Sequence, residues 1–253
     1  MKGVDKMYSF MKYTWTEIKL FLREPVGAFF TLGFPLMMLF LFGAIYGNDP
    51  SPMFNGYGTV DISIPAYTAM IIGTTGIMGI NITMSAYREK GILRRLRISP
   101  LRPRVILAGQ VVVTLLMTVA GMLLLILAGK LVYNLRFDGN ALDVFLAFIL
   151  SSLSFFSLGF VLASVMPNAR TAQVVGMAIF YPMLFLSGAG MPLEIMPEGI
   201  RSFSKYIPLT HVVTLLRGLW TGKSWSQHTT EVWVLLGVLL AGVLISSRTF
   251  RWE

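Results

Sequence analysis

The sequence predicts an all-α integral membrane protein with six transmembrane helices and both termini in the cytoplasm. Three observations carry that reading. Of 253 residues, 55% are hydrophobic and only 13% are charged, against about 25% charged in an ordinary soluble domain. Stretches without Asp, Glu, Lys or Arg recur at the length a helix needs to cross hydrocarbon, about 20 residues at 1.5 Å each. The charge of the segments between them alternates along the chain. A soluble fold of this size could not cover so much apolar surface with 21 basic and 12 acidic side chains. The same composition excludes intrinsic disorder. The chain has no Cys, which removes disulfide frameworks, thiolate nucleophiles and Cys-based metal sites.

Taken in order, residues 6–24 read as an amphipathic helix lying on the membrane. Lys12, Lys19 and Arg23 share a narrow stripe with Ser9 and Thr16, and Met7, Met11, Trp15, Ile18 and Leu22 gather opposite. A basic stripe behind an aromatic-bearing face suits the headgroup boundary, either as a plain anchor or as a docking surface. Pro25 ends this helix. The first span, 26–47, has no signal-peptide pattern ahead of it and is expected to serve as an uncleaved anchor. The next four spans are 66–87, 105–129, 144–166 and 171–193. The sixth, 232–247, is shorter and crosses if Glu231, Trp233 and Arg248 sit at the two interfaces. Gly43-x₃-Gly47 in the first span and Gly237-x₃-Ala241 in the sixth permit close helix contact.

Charge sets the orientation. The N-terminal arm, the second-to-third connection, the fourth-to-fifth connection and the tail together hold 15 basic and five acidic residues, a balance of +10. The remaining connections hold six basic and seven acidic residues, a balance of −1. The positive-inside rule therefore places the basic side, with both termini, in the cytoplasm. The net charge of +9 is thus no nucleic-acid footprint.

Two connections are more than links. Residues 88–104 open with Arg88, Glu89, Lys90 and Gly91, followed by Ile92, Leu93, Arg94, Arg95 and Leu96, and Ser99-Pro100 stops the turn. Ile92, Leu93 and Leu96 share a helical face between the charges. Orientation alone explains several of these cations, but an ordered apolar face among them points to a contact with a partner. On the other side, residues 194–230 are long and apolar for a loop. Short helices here should tuck into the outer leaflet or cap the bundle.

No catalytic constellation emerges. His211 and His228 both lie in the outer connection, without an HExxH pattern or a nearby acidic cluster, so a metal site is not expected. Gly218-Leu-Trp-Thr-Gly222-Lys223-Ser224 imitates a phosphate loop, but it is one residue short, is preceded by no strand and falls on the outer side. A membrane-embedded lipid-modifying enzyme would need paired acids, His or Cys at the membrane boundary, and no convincing set is present. A secondary carrier is the other alternative, and the six charge-free stretches lack the ionisable group that a proton-coupled one needs.

The segment from Arg88 to Leu96 with Ser99-Pro100 resembles the loop after the second span in the permeases of type-2 ABC exporters, the family of drug, antibiotic and polysaccharide export subunits. The outer run Leu186-Ser187-Gly188, Pro192-Leu193, Met196-Pro197, Pro208-Leu209-Thr210 and Leu216-Arg217-Gly218 resembles that family's outer segment. His211 departs from it, standing where Tyr or an apolar residue often follows Thr. The resemblance implies a transport subunit without its own ATPase site, bound to a separate ATP-binding subunit that supplies ATP and Mg²⁺. It implies pairing with a second permease, identical or related, in the plasma membrane. Carried over, Arg88, Glu89, Lys90, Gly91, Ile92, Leu93, Arg94, Arg95 and Leu96 form the ATPase-coupling element. Thr75 and Asn81 of the second span and Met177, Phe180 and Phe185 of the fifth line the substrate path. The cargo is expected to be hydrophobic or amphipathic.

Overall fold

The computed structural model describes Trp15, Thr16, Lys19 and residues 25–97 and 103–249. Among these the protein is helical, with no strand, and six helices are long and apolar enough to cross a membrane. In chain order, α1 runs through Pro25–Ala28, a π-helical insert Phe29–Gly33, and Phe34–Tyr46. α2 is Thr59–Glu89, with a π-helical stretch at Thr74–Ile80. α3 is Ile92–Arg97, α4 Pro103–Tyr133, α5 Ala141–Val165 and α6 Ala169–Leu186. α7 (Glu198–Ser204) and α8 (Pro208–Trp220) are short, and α9 is Thr229–Thr249. The spans are α1, α2, α4, α5, α6 and α9.

α2 is the axis of the bundle. It is hydrophobic all round, and nearly every residue from Val60 to Met78 is buried, as a helix surrounded by neighbours must be. Small residues let α4 and α5 close on it. A Cβ at Gly76 would stand 2.7 Å from the Phe155 carbonyl of α5, and Gly159 rests against the Gly76 carbonyl. On the other flank Gly129 of α4 receives the Ile64 side chain. Thr118 Oγ1 of α4 donates 3.2 Å to Thr75 Oγ1 of α2, a buried polar link of the kind that replaces hydrophobic driving force inside a membrane.

α9 is fastened to α5 by hydroxyls. Ser154 Oγ donates 2.8 Å to the Leu235 carbonyl, Ser157 Oγ lies 3.4 Å from the Val238 carbonyl, and Gly242 sits on Ser157. The expected Gly237-x₃-Ala241 seam makes no close contact within the chain, because a Cβ at Gly237 would meet no atom within 4 Å. Gly43 of α1 does make close contact, against the Tyr133 ring of α4.

Two helix ends differ most from the charge-free stretches. α2 begins at Thr59 rather than 66, so it carries Asp61, which is fully buried. At 31 residues it is about 46 Å long, more than the roughly 30 Å of hydrocarbon. Asp61 therefore caps a helix turn rather than sitting unpaired in lipid. α6 stops at Leu186 instead of 193. Ser187 N–H bonds to the Met183 carbonyl and Gly190 N–H to the Leu184 carbonyl, around Gly188 at φ +88°. That left-handed turn suits glycine and ends the helix.

Candidate functional site

The basic end of the bundle is organised around the last two residues of α2. The Arg88 guanidinium donates from Nη2 to the Ala163 carbonyl at 2.8 Å and also to the Met166 carbonyl. These are carbonyls of the last turn and cap of α5, groups that no intrahelical N–H can satisfy. Glu89 Oε2 accepts from the Ala169 N–H at 3.0 Å, the first residue of α6. Asn168 Oδ1 accepts from the Thr171 N–H at 2.8 Å, completing that cap. A cation thus faces the negative end of one helix dipole and an anion the positive end of the next. Adjacent residues of α2 bracket the turn between α5 and α6.

α3 comes next in the chain. Lys90 N–H bonds to the Ala86 carbonyl and closes α2, and Gly91 at φ +64° turns the chain. Only glycine takes that backbone geometry without strain. Leu93 is fully buried, Ile92 half-buried, and Arg94, Glu89 and Lys90 exposed. The helix begins at Ile92, so Lys90 and Gly91 form the hinge rather than its first turn. Arg95 and Leu96 lie on α3.

The other expected site residues do not share one place. Thr75 is buried between α2 and α4. Asn81 is fully buried, and its Nδ2 donates 3.0 Å to the Ala172 carbonyl of α6. Its Oδ1 has no partner among the described residues. Phe180 is buried and its ring faces Gly73 of α2, Met177 is half-buried, and Phe185 is exposed. Asn81 and Phe180 therefore join α2 to α6, while Phe185 points away from the bundle. Of the N-terminal set, Trp15 and Lys19 are exposed, with Lys19 Nζ 5.3 Å from the Trp15 ring centroid. Lys12 and Arg23 lie outside the described residues.

The far end is built differently. Asp61 accepts from Asn48 Nδ2 at 2.8 Å, Gly58 N–H at 2.9 Å and Arg136 N–H at 2.9 Å. Asn48 also donates to the Tyr133 carbonyl at 3.0 Å. Tyr57 Oη donates 2.9 Å to Asp138 Oδ2, and burial, followed by that hydrogen bond and the Asp138 charge, pushes its phenol above the usual value. Trp220 Nε1 bonds to the Arg136 carbonyl at 3.1 Å. Residues 218–224 terminate α8: Thr221, Gly222 and Lys223 N–H groups bond to the Arg217, Leu219 and Gly218 carbonyls. A phosphate loop opens a helix, whereas these glycines close one. Sequence reasoning missed the Asp61 hub because two of its three partners lie 13 and 75 residues away.

Six spanning helices, a charge bracket on the α5–α6 turn and a short hinged basic helix define a polytopic membrane protein of the transporter kind. The sequence matches the ABC-2 type transporter family over residues 8–220, and the chain belongs to that family. It is a membrane permease subunit of an ABC transporter. Similar proteins include a putative transport permease, ycf38, of Porphyra purpurea, 23% identical over 219 residues, covering 85% of this chain and 75% of the relative. The daunorubicin resistance ABC transporter permease protein DrrB1 of Streptomyces coeruleorubidus is 24% identical, with 85% and 75% covered. The probable multidrug ABC transporter permease YbhR of Escherichia coli K12 is 24% identical over 158 residues, 62% of this chain and 43% of the relative.

Proposed function

We propose that this permease exports a hydrophobic or amphipathic substrate across the plasma membrane, driven by a separate ATP-binding subunit that docks on α3 from the cytoplasm. Both termini then lie in the cytoplasm, in keeping with the basic balance of that side. A second permease, identical or related, completes the path, and ATP and Mg²⁺ belong to the partner.

The observation that carries this reading is the bracket. A push on α3 acts through the Gly91 turn on Arg88 and Glu89, and these hold the last turn of α5 and the first of α6. One contact thereby moves three spans, and Asn81 carries the α2 displacement to α6 through Ala172. Exposed Arg94 offers the cation that an acidic groove on a partner would take. Names such as multidrug permease and daunorubicin resistance permease among the relatives favour an apolar or amphipathic cargo.

Mild detergent extraction from the native cell tests the assembly. The expected result is copurification of an ATP-binding subunit, with ATP hydrolysis in the complex and none in the isolated chain. Robust hydrolysis by the isolated chain, or repeated absence of such a partner, contradicts the proposal.

A further inference from the structure

The outer connection carries a charge to a depth where the spans carry none. α8 lies along the outer half of α2. Its last residue, Trp220, bonds to the Arg136 carbonyl beside Asp61, and Val213 shares a small cavity with Ile62. Near its start, Leu209 Cδ1 stands 3.5 Å from where a Cβ on Gly73 would be. Gly73 is about 18 Å inward of Asp61 along α2. Asp61 and Arg88, the charged residues that bound the apolar run of α2, are about 40 Å apart. The middle of a roughly 30 Å hydrocarbon layer therefore falls close to Gly73. α7 and α8 form a hairpin that enters from the far end and turns near mid-membrane.

The turn is held in place. Tyr206 N–H bonds to the Phe203 carbonyl at 3.1 Å, Ile207 N–H to the Ser204 carbonyl at 2.9 Å, and His211 Nε2 donates 3.0 Å to the Lys205 carbonyl. Its tip is what lipid excludes. Lys205 is exposed between exposed Phe203 and Tyr206, and no ion pair or hydrogen bond engages its ammonium among the described residues. A charged head at mid-bilayer is costly, and a stem of about 6 Å cannot carry it roughly 15 Å to either surface. Non-helical backbone at this depth likewise needs protein or a water-filled cavity beside it. The tip therefore opens onto a path and not onto lipid. A second identical copy brings no acid to this level. Among the described residues Glu89 lies at the basic end and the other acids at the far end, and Glu198 opens α7 at the opposite end from Lys205.

We propose that Lys205 is a cargo-binding residue of the transport path and selects amphipathic molecules with an anionic head. The ammonium takes the oxyanion of a carboxylate, phosphate or sulfate, and the adjoining carbons lie on the exposed rings of Phe203 and Tyr206. Anionic bilayer lipids and free anionic amphiphiles share this chemistry. The proposal rests on the export reading and narrows its cargo.

The test places the full chain in phosphatidylcholine nanodiscs and follows energy transfer from its five tryptophans to 11-(dansylamino)undecanoic acid or to the methyl ester of that probe, with empty discs as the blank. Saturable binding is expected, about tenfold tighter for the acid than for the ester, the worth of one charge-assisted contact. Lys205→Gln should make acid and ester bind alike, and Lys205→Arg should keep the preference. Lys205 is exposed, so both variants should keep the melting temperature. The chain has no Cys, so Lys205→Cys supplies a single thiol, which should react with a water-soluble methanethiosulfonate. Adding phosphatidylglycerol separates the sources: displacement of the probe supports an anionic lipid as cargo, and no displacement supports a free amphiphile. The titration needs neither ATP nor the ATP-binding subunit, so its outcome is independent of the copurification experiment. No saturable binding, equal affinity for acid and ester in the natural chain, a preference retained in Lys205→Gln, or an unreactive thiol at position 205 overturns the proposal.

Discussion

The two ends of the bundle hold their chain segments by opposite strategies. At the far end, Asp61 ties three segments together through Asn48, Gly58 and Arg136, and Tyr57, Asp138 and Trp220 add further cross-links. At the basic end, among the described residues, two adjacent side chains of α2 hold one turn, and α3 hangs from a glycine hinge. A network of many cross-links resists relative movement, because any displacement strands several buried polar groups at once. A bracket with a hinge beside it transmits displacement. Under the proposed coupling, the contrast assigns stability to one end and motion to the other.

The sharpest way to break that contrast is at α3. Arg94→Glu with Arg95→Glu should abolish transport while the protein still inserts and keeps its melting temperature, measured by substrate efflux from cells and by thermal denaturation. Topology must be mapped in the same variant, because these charges also orient the chain. Next comes the bracket. Arg88→Ala strands carbonyls at the end of α5 and should cut transport more than tenfold, while costing about 2 kcal/mol of stability. Asp61→Ala should reverse that ranking. It leaves three donors without their acceptor and should cost about 3 kcal/mol, with transport per folded molecule changed less than twofold. If Asp61→Ala spares stability and stops transport, the division between the ends is wrong. The smallest effect is expected inside the bundle. Thr118→Val removes one hydrogen bond to Thr75 and should cost about 1 kcal/mol with little change in transport.

Much of this fold is written in the pattern of missing charges. The six spans, the short helix after the second and the helical outer connection are all legible, because hydrocarbon imposes length and excludes charge along each segment separately. What escaped is tertiary. The partners of Arg88 and Glu89 lie on the α5–α6 turn some 75 to 80 residues away, and no local pattern encodes that pairing. Part of a signal was present in Asn168, three residues before Thr171, which is N-cap spacing. Asp61 shows why absence of charge is an imperfect rule for helix ends. A helix can run past the hydrocarbon and keep a carboxylate when caps satisfy it. The end of α6 shows the converse, since the Ser187-Gly188 turn stops the helix although the charge-free stretch continues. In α9, small-residue spacing pointed to Gly237, but the face turned toward α5 carries Gly242, because burial and not spacing decides which stripe packs.

The central claim is that α3 receives the ATP-binding subunit. A photoreactive amino acid at position 94, irradiated in cells that also produce the ATP-binding subunit, tests it most directly, with position 136 at the far end as the control. The account predicts a cross-linked adduct to that subunit from position 94 and none from position 136. An adduct from position 136, or none from position 94 in a transport-competent variant, would contradict it.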